Sequence, residues 1–92
     1  MRKEVEILNP LGLHARPAAE FVRCVQRYSA EITIVKDGEK FSANSILEVL
    51  SANLDCGSRM VIEANGTDAA AALDELGRLL VEFKEQEESG RV

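Results

Sequence analysis

Residues 31–42 read EITIVKDGEKFS and predict a β-hairpin, the clearest structural signal in the chain. Residues 31–35 are rich in β-branched side chains, which favour strands. The Asp37-Gly38 pair that follows is the strongest short hairpin signal, because both central residues of a type I′ turn need positive φ. Residues 39–42 lie beyond this turn, so we expect the two flanking strands to pair antiparallel.

The segments on either side of the hairpin predict two more strands and three helices. Apolar and polar side chains alternate over residues 5–8 and 59–64, as they do in half-buried strands. Apolar residues recur at helical spacing over residues 15–27 and again from Ala69 onward, which predicts amphipathic helices. Ser45 begins a capping box, so a short helix is expected to follow it. The predicted buried stripes of the two longer helices consist of Ala18, Phe21, Val22 and Val25, and of Ala69, Ala72, Leu73, Leu76, Leu79, Leu80 and Phe83.

The element order is therefore β-α-β-β-α-β-α, which is typical of an α+β domain with an antiparallel or mixed sheet and helices on one face. Asn53 is expected to end the second helix in the left-handed conformation. The Thr-Asp pair that ends at Asp68 is expected to cap the third helix. The chain is polar from Glu85 onward, and this end is expected to fray. We predict one domain over residues 1–88 and a flexible tail over residues 89–92.

Composition and charge exclude several classes of function. The 92 residues include 11 Lys and Arg against 16 Asp and Glu, a net charge of -5, whereas nucleic-acid binding needs a basic surface. No apolar run approaches the ~20 residues of a membrane span. The N-terminus has no signal-peptide pattern, so we expect a cytoplasmic protein without membrane contact. The single histidine leaves a zinc site short of ligands, and Cys24 and Cys56 are expected to be reduced thiols.

Residues 12–18 read GLHARPA and form the candidate functional site, where a loop enters the first helix. A helix start carries unpaired N–H groups and a partial positive charge, so it favours anions. His14 lies at or next to the N-cap, and Arg16 adds a guanidinium group that suits phosphate oxygens. A neutral imidazole can attack phosphorus, and the resulting P–N bond is labile. The residues therefore predict transient phosphate transfer on His14, with a structural histidine as the alternative.

Residues 9–18, NPLGLHARPA, resemble the active-site segment of the HPr family, the histidine phosphocarriers of the bacterial phosphoenolpyruvate-dependent phosphotransferase system. The Asp-Gly hairpin, the helix start at residues 44–47 (NSIL) and the last helix align as well. The resemblance covers residues 3–83 of this chain. It implies an HPr-like open-faced β-sandwich, in which three helices cover one face of a four-stranded antiparallel sheet.

The resemblance also implies a role for each residue of the candidate site. His14 accepts a phosphoryl group on Nδ1 from phosphorylated Enzyme I and donates it to a histidine of an IIA protein or domain. Arg16 helps to neutralise the phosphate, and the backbone N–H groups of Ala15 and Arg16 bind it. The chain is then a stoichiometric phosphoryl carrier rather than an enzyme, is expected to be a monomer, and requires no metal or cofactor.

A second set of expectations concerns the helix that follows Ser45. The resemblance aligns Ser45 with the serine that HPr kinase/phosphorylase modifies in some bacteria, while the capping box alone also explains a serine there. Ile46, Leu47 and Leu50 are expected to form the docking surface for partner proteins, because an exposed apolar patch marks an interaction site. For Leu47 and Leu50, burial in the core is the alternative.

The branch of the phosphotransferase system stays open on the sequence. Residues 44–47 resemble the nitrogen-branch relatives, often called NPr, as much as sugar-branch HPr. Glu48 stands where many sugar-branch members have Gly. The chain is therefore either a carrier for sugar uptake or a regulatory, phosphorylation-dependent binding module that is not coupled to it.

Charge is distributed unevenly along the chain. Arginines lie on the first helix, whereas glutamates cluster near the C-terminus. This distribution predicts a basic active face and an acidic far end. The residues concerned are Arg16, Arg23 and Arg27, and Glu82, Glu85, Glu87 and Glu88.

Overall fold

The computed structural model describes residues 1–90, which form a four-stranded antiparallel sheet and three helices. In chain order the elements are β1 (Arg2–Glu6), α1 (Ala15–Gln26), β2 (Glu31–Lys36), β3 (Glu39–Ser42), α2 (Ile46–Ser51), β4 (Arg59–Asn65) and α3 (Ala69–Glu88). The strands lie in the order β1-β4-β2-β3, and every neighbouring pair is antiparallel. The predicted element order and the antiparallel sheet are confirmed.

The hairpin forms as predicted. Strands β2 and β3 pair antiparallel, with Lys36 opposite Glu39 next to the turn. Asp37 and Gly38 have φ values of 51° and 80°, the positive φ that a type I′ turn requires. The turn therefore sets the register of the edge strand β3 against β2.

One face of the sheet is buried beneath the helices. Alternate residues of β2 and β4 are buried, while the residues between them are half-buried or exposed. Both helical stripes are buried as predicted, except that Leu79 is half-buried. Each large apolar side chain in this core contributes ~1.5–3 kcal/mol by leaving water, which holds the helices on the sheet. The core includes Phe21, Ile32, Ile34, Met60, Ile62, Leu76 and Phe83.

The first strand differs from the prediction, since it spans Arg2–Glu6 rather than residues 5–8. Its pairing with β4 ends where Glu6 faces Arg59. Ile7 is fully buried, but its N–H and carbonyl both bond to the loop before β4, outside the sheet ladder. Apolar character continues past the end of the strand because the following loop also covers the core.

Helix α2 begins at the predicted capping box, but only one half of the box forms. The Ser45 hydroxyl oxygen accepts a hydrogen bond from the Glu48 N–H at 3.3 Å. The Glu48 carboxylate accepts from the Ser42 N–H at 2.9 Å, whereas the Ser45 N–H donates to the Ser42 carbonyl. The cap thus ties α2 to the end of β3. Asn53 follows the helix with φ of 51°, as predicted.

Asp68 stands at the N-cap of α3, but contrary to the prediction its side chain does not cap the helix. Its carboxylate accepts instead from the N–H groups of Ser29 and Ala30, each at 2.8 Å, and from the Ser29 hydroxyl at 3.2 Å. These bonds lower the pKa of the Asp68 carboxyl, with the Ser29 N–H contributing most, while desolvation opposes the shift. The side chain therefore joins the start of α3 to the turn between α1 and β2.

Helix α3 continues beyond the point where fraying was expected. It runs through Glu88, and N–H groups of the two residues that follow donate to carbonyls of its last turn. Glu87 lies in this turn with a side chain only 4% exposed. The expected fraying is therefore wrong for residues 85–88. Residues 91–92 of the predicted tail lie outside the described residues.

The structure also bears on the cysteines and on membrane spans. Cys24 and Cys56 are free thiols, as predicted; Cys24 is buried and Cys56 is exposed. Burial raises the pKa of the Cys24 thiol, which keeps it protonated and unreactive.

Within residues 1–90, no helix combines the length and apolar character that a bilayer crossing needs.

Candidate functional site

The loop before α1 is held by its own residues and by the loop after α2. Gly12 has φ of +70°, and a Cβ there would lie 2.6 Å from the Leu54 carbonyl oxygen, so only glycine fits. The next residue, Leu13, donates its N–H to that same carbonyl at 2.8 Å. The Asn9 side chain is fully buried, and its amide donates to the Gly12 carbonyl at 2.7 Å. The loop therefore delivers His14 to α1 in a defined position.

His14 occupies the N-cap of α1, as predicted. Its backbone is extended, its carbonyl accepts from the Ala18 N–H at 2.8 Å, and its side chain makes no capping hydrogen bond. The N–H groups of Ala15 and Arg16 lie in the first turn, where the helix itself supplies no acceptor, and Pro17 has no N–H. The helix thus presents N–H donors and a partial positive charge directly after His14.

Arg16 lies on the first turn of α1 and contacts both α1 and α3. Its guanidinium group lies 3.7 Å from the Glu20 carboxylate and donates to the Gln86 side-chain oxygen at 3.4 Å. The side chain is 51% exposed, so an ion pair here adds little stability and exchanges readily for another anion. Arg16 therefore lies at the helix start with a half-exposed guanidinium group, a group whose geometry suits phosphate oxygens.

Glu87, in the last turn of α3, is the site residue that the sequence analysis did not identify. One of its carboxylate oxygens accepts from the Leu11 N–H at 2.8 Å, and the other accepts from the Asn9 amide at 2.6 Å. The second oxygen also lies 3.8 Å from His14 Nε2. The helical spacing could have indicated this position, because Glu87 follows the buried Phe83 by four residues and so lies on the buried side of α3.

The two sides of the His14 ring have different surroundings. The side chain is 34% exposed, yet its Nε2 atom is buried. Among residues 1–90 this nitrogen has no hydrogen-bond partner, since 3.8 Å to the Glu87 carboxylate exceeds hydrogen-bond range. The Asn9 Oδ1 atom is likewise buried without a partner in the described part of the chain. The exposed part of the ring is therefore the part away from Nε2.

The residues expected to dock partners lie on α2, which packs against α1. Leu47 is 76% exposed and Leu50 is 41% exposed, so the core alternative is wrong for both. Ile46 is half-buried against the core. Ser45 is half-buried, and its oxygen serves as the cap of α2. Because the loop after α2 bonds to the loop before α1, the docking residues and His14 lie on adjoining segments.

The predicted separation of a basic active face from an acidic far end is wrong. Helix α3 ends beside the loop before α1, which brings Gln86 and Glu87 to the candidate site. Glu87 lies 78 positions from its partner Asn9 in the sequence, so charge read along the chain misplaces it.

The site therefore combines a histidine ring, helix N–H donors, a guanidinium group and one buried carboxylate. These are the groups that bind an anion and attack its phosphorus. In the described residues, no group of three or more His, Cys, Asp or Glu side chains is arranged to hold a metal ion.

A known family matches most of the chain, including His14 and Arg16 of this site. The family model described as "PTS HPr component phosphorylation site" matches residues 1–82. The chain belongs to the HPr family. The resemblance noted in the sequence is thereby confirmed. Glu87 lies beyond the residues that the family model matches.

Several relatives share the HPr family's length and fold. Phosphocarrier protein HPr of Borreliella burgdorferi is 40% identical over 85 residues, which are 92% of this chain and 99% of that protein. HPr-like protein Crh of Halalkalibacterium halodurans is 40% identical over 76 residues, 83% of this chain and 90% of that protein. The crystal structure of HPr from Bacillus anthracis has a TM-score of 0.83 and 39% identity, and the match covers 86% of this chain and 94% of that chain. The HPr fold is therefore shown for this chain.

Proposed function

We propose that this HPr-family chain carries a phosphoryl group on His14 within the phosphoenolpyruvate-dependent phosphotransferase system. It accepts the group from phosphorylated Enzyme I and passes it to a histidine of an IIA protein or domain. The observation that carries the proposal is the position of His14 at the N-cap of α1, directly before the N–H groups of Ala15 and Arg16. The family match over the same segment supports it.

The transfer step needs only positioning and charge from this chain. A lone pair on His14 Nδ1 attacks the phosphorus of the Enzyme I phosphohistidine, the P–N bond of the donor breaks, and its electrons return to the donor imidazole. Arg16 and the N–H groups at the start of α1 bind the phosphoryl oxygens, which carry the negative charge in the transition state. The same events with an IIA histidine as the nucleophile deliver the group onward.

Docking is assigned to the exposed apolar side chains of α2. Leu47 and Leu50 form the patch and Ile46 lies at its edge, and apolar patches of this kind are typical of protein interaction sites. A phosphate on Ser45, added by HPr kinase/phosphorylase, places close to two negative charges at this patch. Such a phosphate is expected to repel an acidic partner surface and to slow transfer.

The test uses the purified protein, Enzyme I and phosphoenolpyruvate. The wild type is expected to acquire an acid-labile, base-stable phosphoryl group, and His14→Ala is expected to acquire none. Leu47→Ser is expected to slow acceptance, while Val81→Ser, at an exposed apolar residue of α3, is the matched control and keeps the wild-type rate. A phosphorylated His14→Ala protein would show that another residue carries the group.

The second candidate is a regulatory protein of the nitrogen-branch, NPr type. Glu48 favours it, because it stands where many sugar-branch members have Gly and adds a negative charge one turn after Ser45, which disfavours phosphorylation of that serine. Deleting the gene separates the two candidates. Reduced sugar uptake supports the sugar-branch carrier, whereas unchanged uptake with altered nitrogen or potassium control supports the regulator.

A further inference from the structure

Helix α3 ends against the loop before α1, and its Glu87 covers one of the two nitrogens of His14. The carboxylate lies 3.8 Å from Nε2, which is buried although the ring as a whole is 34% exposed. Both carboxylate oxygens are anchored, one by the Leu11 N–H and the other by the Asn9 amide. With a side chain only 4% exposed, Glu87 is held in front of Nε2.

We infer that Glu87 is a positioning residue that makes Nδ1 the only nitrogen of His14 able to attack phosphorus. The inference rests on the proposed function of His14 and adds the residue that selects the reacting atom. Glu87 lies in the last turn of α3, beyond residue 82 where the family match ends.

The tautomer of the neutral ring follows from the charge that faces it. A carboxylate only accepts hydrogen bonds, so it attracts an N–H group and repels a nitrogen lone pair. Nε2 of His14 therefore carries the proton, and Nδ1 keeps the lone pair that a nucleophile needs. The aspartate of a Ser-His-Asp triad sets the tautomer of its histidine in the same way, through the opposite ring nitrogen.

Glu87 also stabilises the charge that phosphoryl transfer creates. When Nδ1 bonds to phosphorus, the ring keeps the proton on Nε2 and becomes positively charged, while the leaving group departs with the electrons of the broken bond. An anion 3.8 Å from a buried nitrogen attracts that charge where solvent screens it little. The same anion repels a negatively charged phosphoryl donor from the Nε2 side.

Potassium phosphoramidate tests the inference, because it phosphorylates imidazole without a partner protein. The ring nitrogen attacks phosphorus, the P–N bond of the reagent breaks, and ammonia leaves. Wild-type protein is expected to give predominantly the Nδ1 adduct, identified by phosphorus and nitrogen NMR. Glu87→Gln and Glu87→Ala are expected to raise the proportion of the Nε2 adduct about tenfold, because the facing anion is gone. Glu85→Gln removes the same charge from an exposed position of α3 and is expected to keep the wild-type ratio.

Nitrogen NMR of the neutral His14 ring provides a second readout. The wild type and Glu85→Gln are expected to hold the proton on Nε2. The amide of Glu87→Gln can donate to Nε2, so this variant is expected to move the proton to Nδ1. Phosphoryl acceptance from Enzyme I then falls by about 10- to 100-fold, because Nδ1 has lost its lone pair.

A purely structural role for Glu87 predicts a different pattern. Both variants would lower the thermal midpoint and expose the Leu11 N–H to exchange, while the adduct ratio and the tautomer stayed as in the wild type; that result overturns the inference. If Glu87→Ala does not fold, the nearly isosteric Glu87→Gln decides. If the wild type gives the expected adduct with phosphoramidate but takes no phosphoryl group from Enzyme I, the proposed function fails and the inference stands.

Discussion

Helices α1 and α2 begin in opposite ways, although each starts with a residue that the sequence associates with phosphate. At the start of α2, the Ser45 oxygen accepts from the Glu48 N–H, so the side chain serves the helix. At the start of α1, His14 makes no such bond, and its ring faces Glu87. The side chain at the start of α2 therefore stabilises its own helix, whereas the side chain at the start of α1 is not used as a cap.

The difference has a structural cause. The loop before α1 is already held by the buried Asn9 and by the bond from Leu13 to the Leu54 carbonyl, so α1 does not depend on a side-chain cap. Helix α2 is only 6 residues long, and a helix this short is not stable by itself in water. The N-cap therefore contributes to the stability of α2, and the Ser45 oxygen provides it.

Among substitutions at the helix starts, Arg16→Ala is expected to have the largest effect. Phosphoryl acceptance is expected to slow by about 10- to 100-fold, because the guanidinium group no longer binds the phosphoryl oxygens. The free energy of unfolding is expected to change by no more than about 0.5 kcal/mol, since the side chain is 51% exposed. Rapid-quench transfer from Enzyme I and urea denaturation measure the two quantities.

Arg23→Ala is the matched control for this variant, because it removes the same charge from the exposed face at the other end of α1. It is expected to transfer at the wild-type rate. Wild-type transfer by Arg16→Ala, or a large fall in its stability, would mean that Arg16 supports the helix rather than the chemistry. The start of α1 would then resemble the start of α2.

The next effect is expected from Ser45→Ala, which removes the cap of α2. Loss of an N-cap hydroxyl is expected to lower the free energy of unfolding by about 1 kcal/mol, while phosphoryl acceptance stays within about twofold of the wild type because the helix still forms on the core. Ser51→Ala, at the opposite end of the same helix, is the control that leaves the cap intact. Urea denaturation that shows equal stability for Ser45→Ala and the wild type would contradict the structural use of Ser45.

Ser45→Asp separates the cap from the charge at the same position. Aspartate is as good an N-cap as serine, so wild-type stability is expected. The added negative charge lies at the docking patch and is expected to slow acceptance from Enzyme I several-fold. Wild-type transfer kinetics for Ser45→Asp would remove the regulatory interpretation of Ser45.

Local signals in the sequence predict most of the fold, and within the site they identify His14 but not Glu87. The Asp37-Gly38 turn and the Ser45 cap depend on neighbouring residues; the turn forms as predicted, and so does the serine half of the capping box. His14 comes from one short segment and could be identified in the same way. Glu87 could not, because it reaches Asn9 across 78 positions and only through the packing of α3 on the sheet.

Asp68 shows the same limit at the start of α3. Its position before a helix predicts a cap, yet its carboxylate bonds to Ser29 and Ala30, which lie 39 and 38 positions away. The α1–β2 turn offers the carboxylate two N–H donors, and the carboxylate bonds to these instead of to the first turn of α3. At this third helix start, the N-cap side chain does not cap its own helix. It joins the start of α3 to the turn between α1 and β2.

The smallest effect is expected from Asp68→Asn and depends on pH. The N–H donors, that of Ser29 first, lower the pKa of the Asp68 carboxyl in the folded state. Ionised Asp68 therefore stabilises the fold above its unfolded pKa of about 3.9, and this contribution is lost as pH falls through the folded pKa. Urea denaturation is expected to show a stability difference between wild type and Asp68→Asn that is full at about pH 6 and shrinks below about pH 3. Asp74→Asn, which removes an exposed carboxylate from the same helix, is the matched control. A difference that is equal at both pH values would mean that hydrogen bonding without charge holds this turn, and Asp68 would then act on its segment as the Ser45 hydroxyl acts on α2.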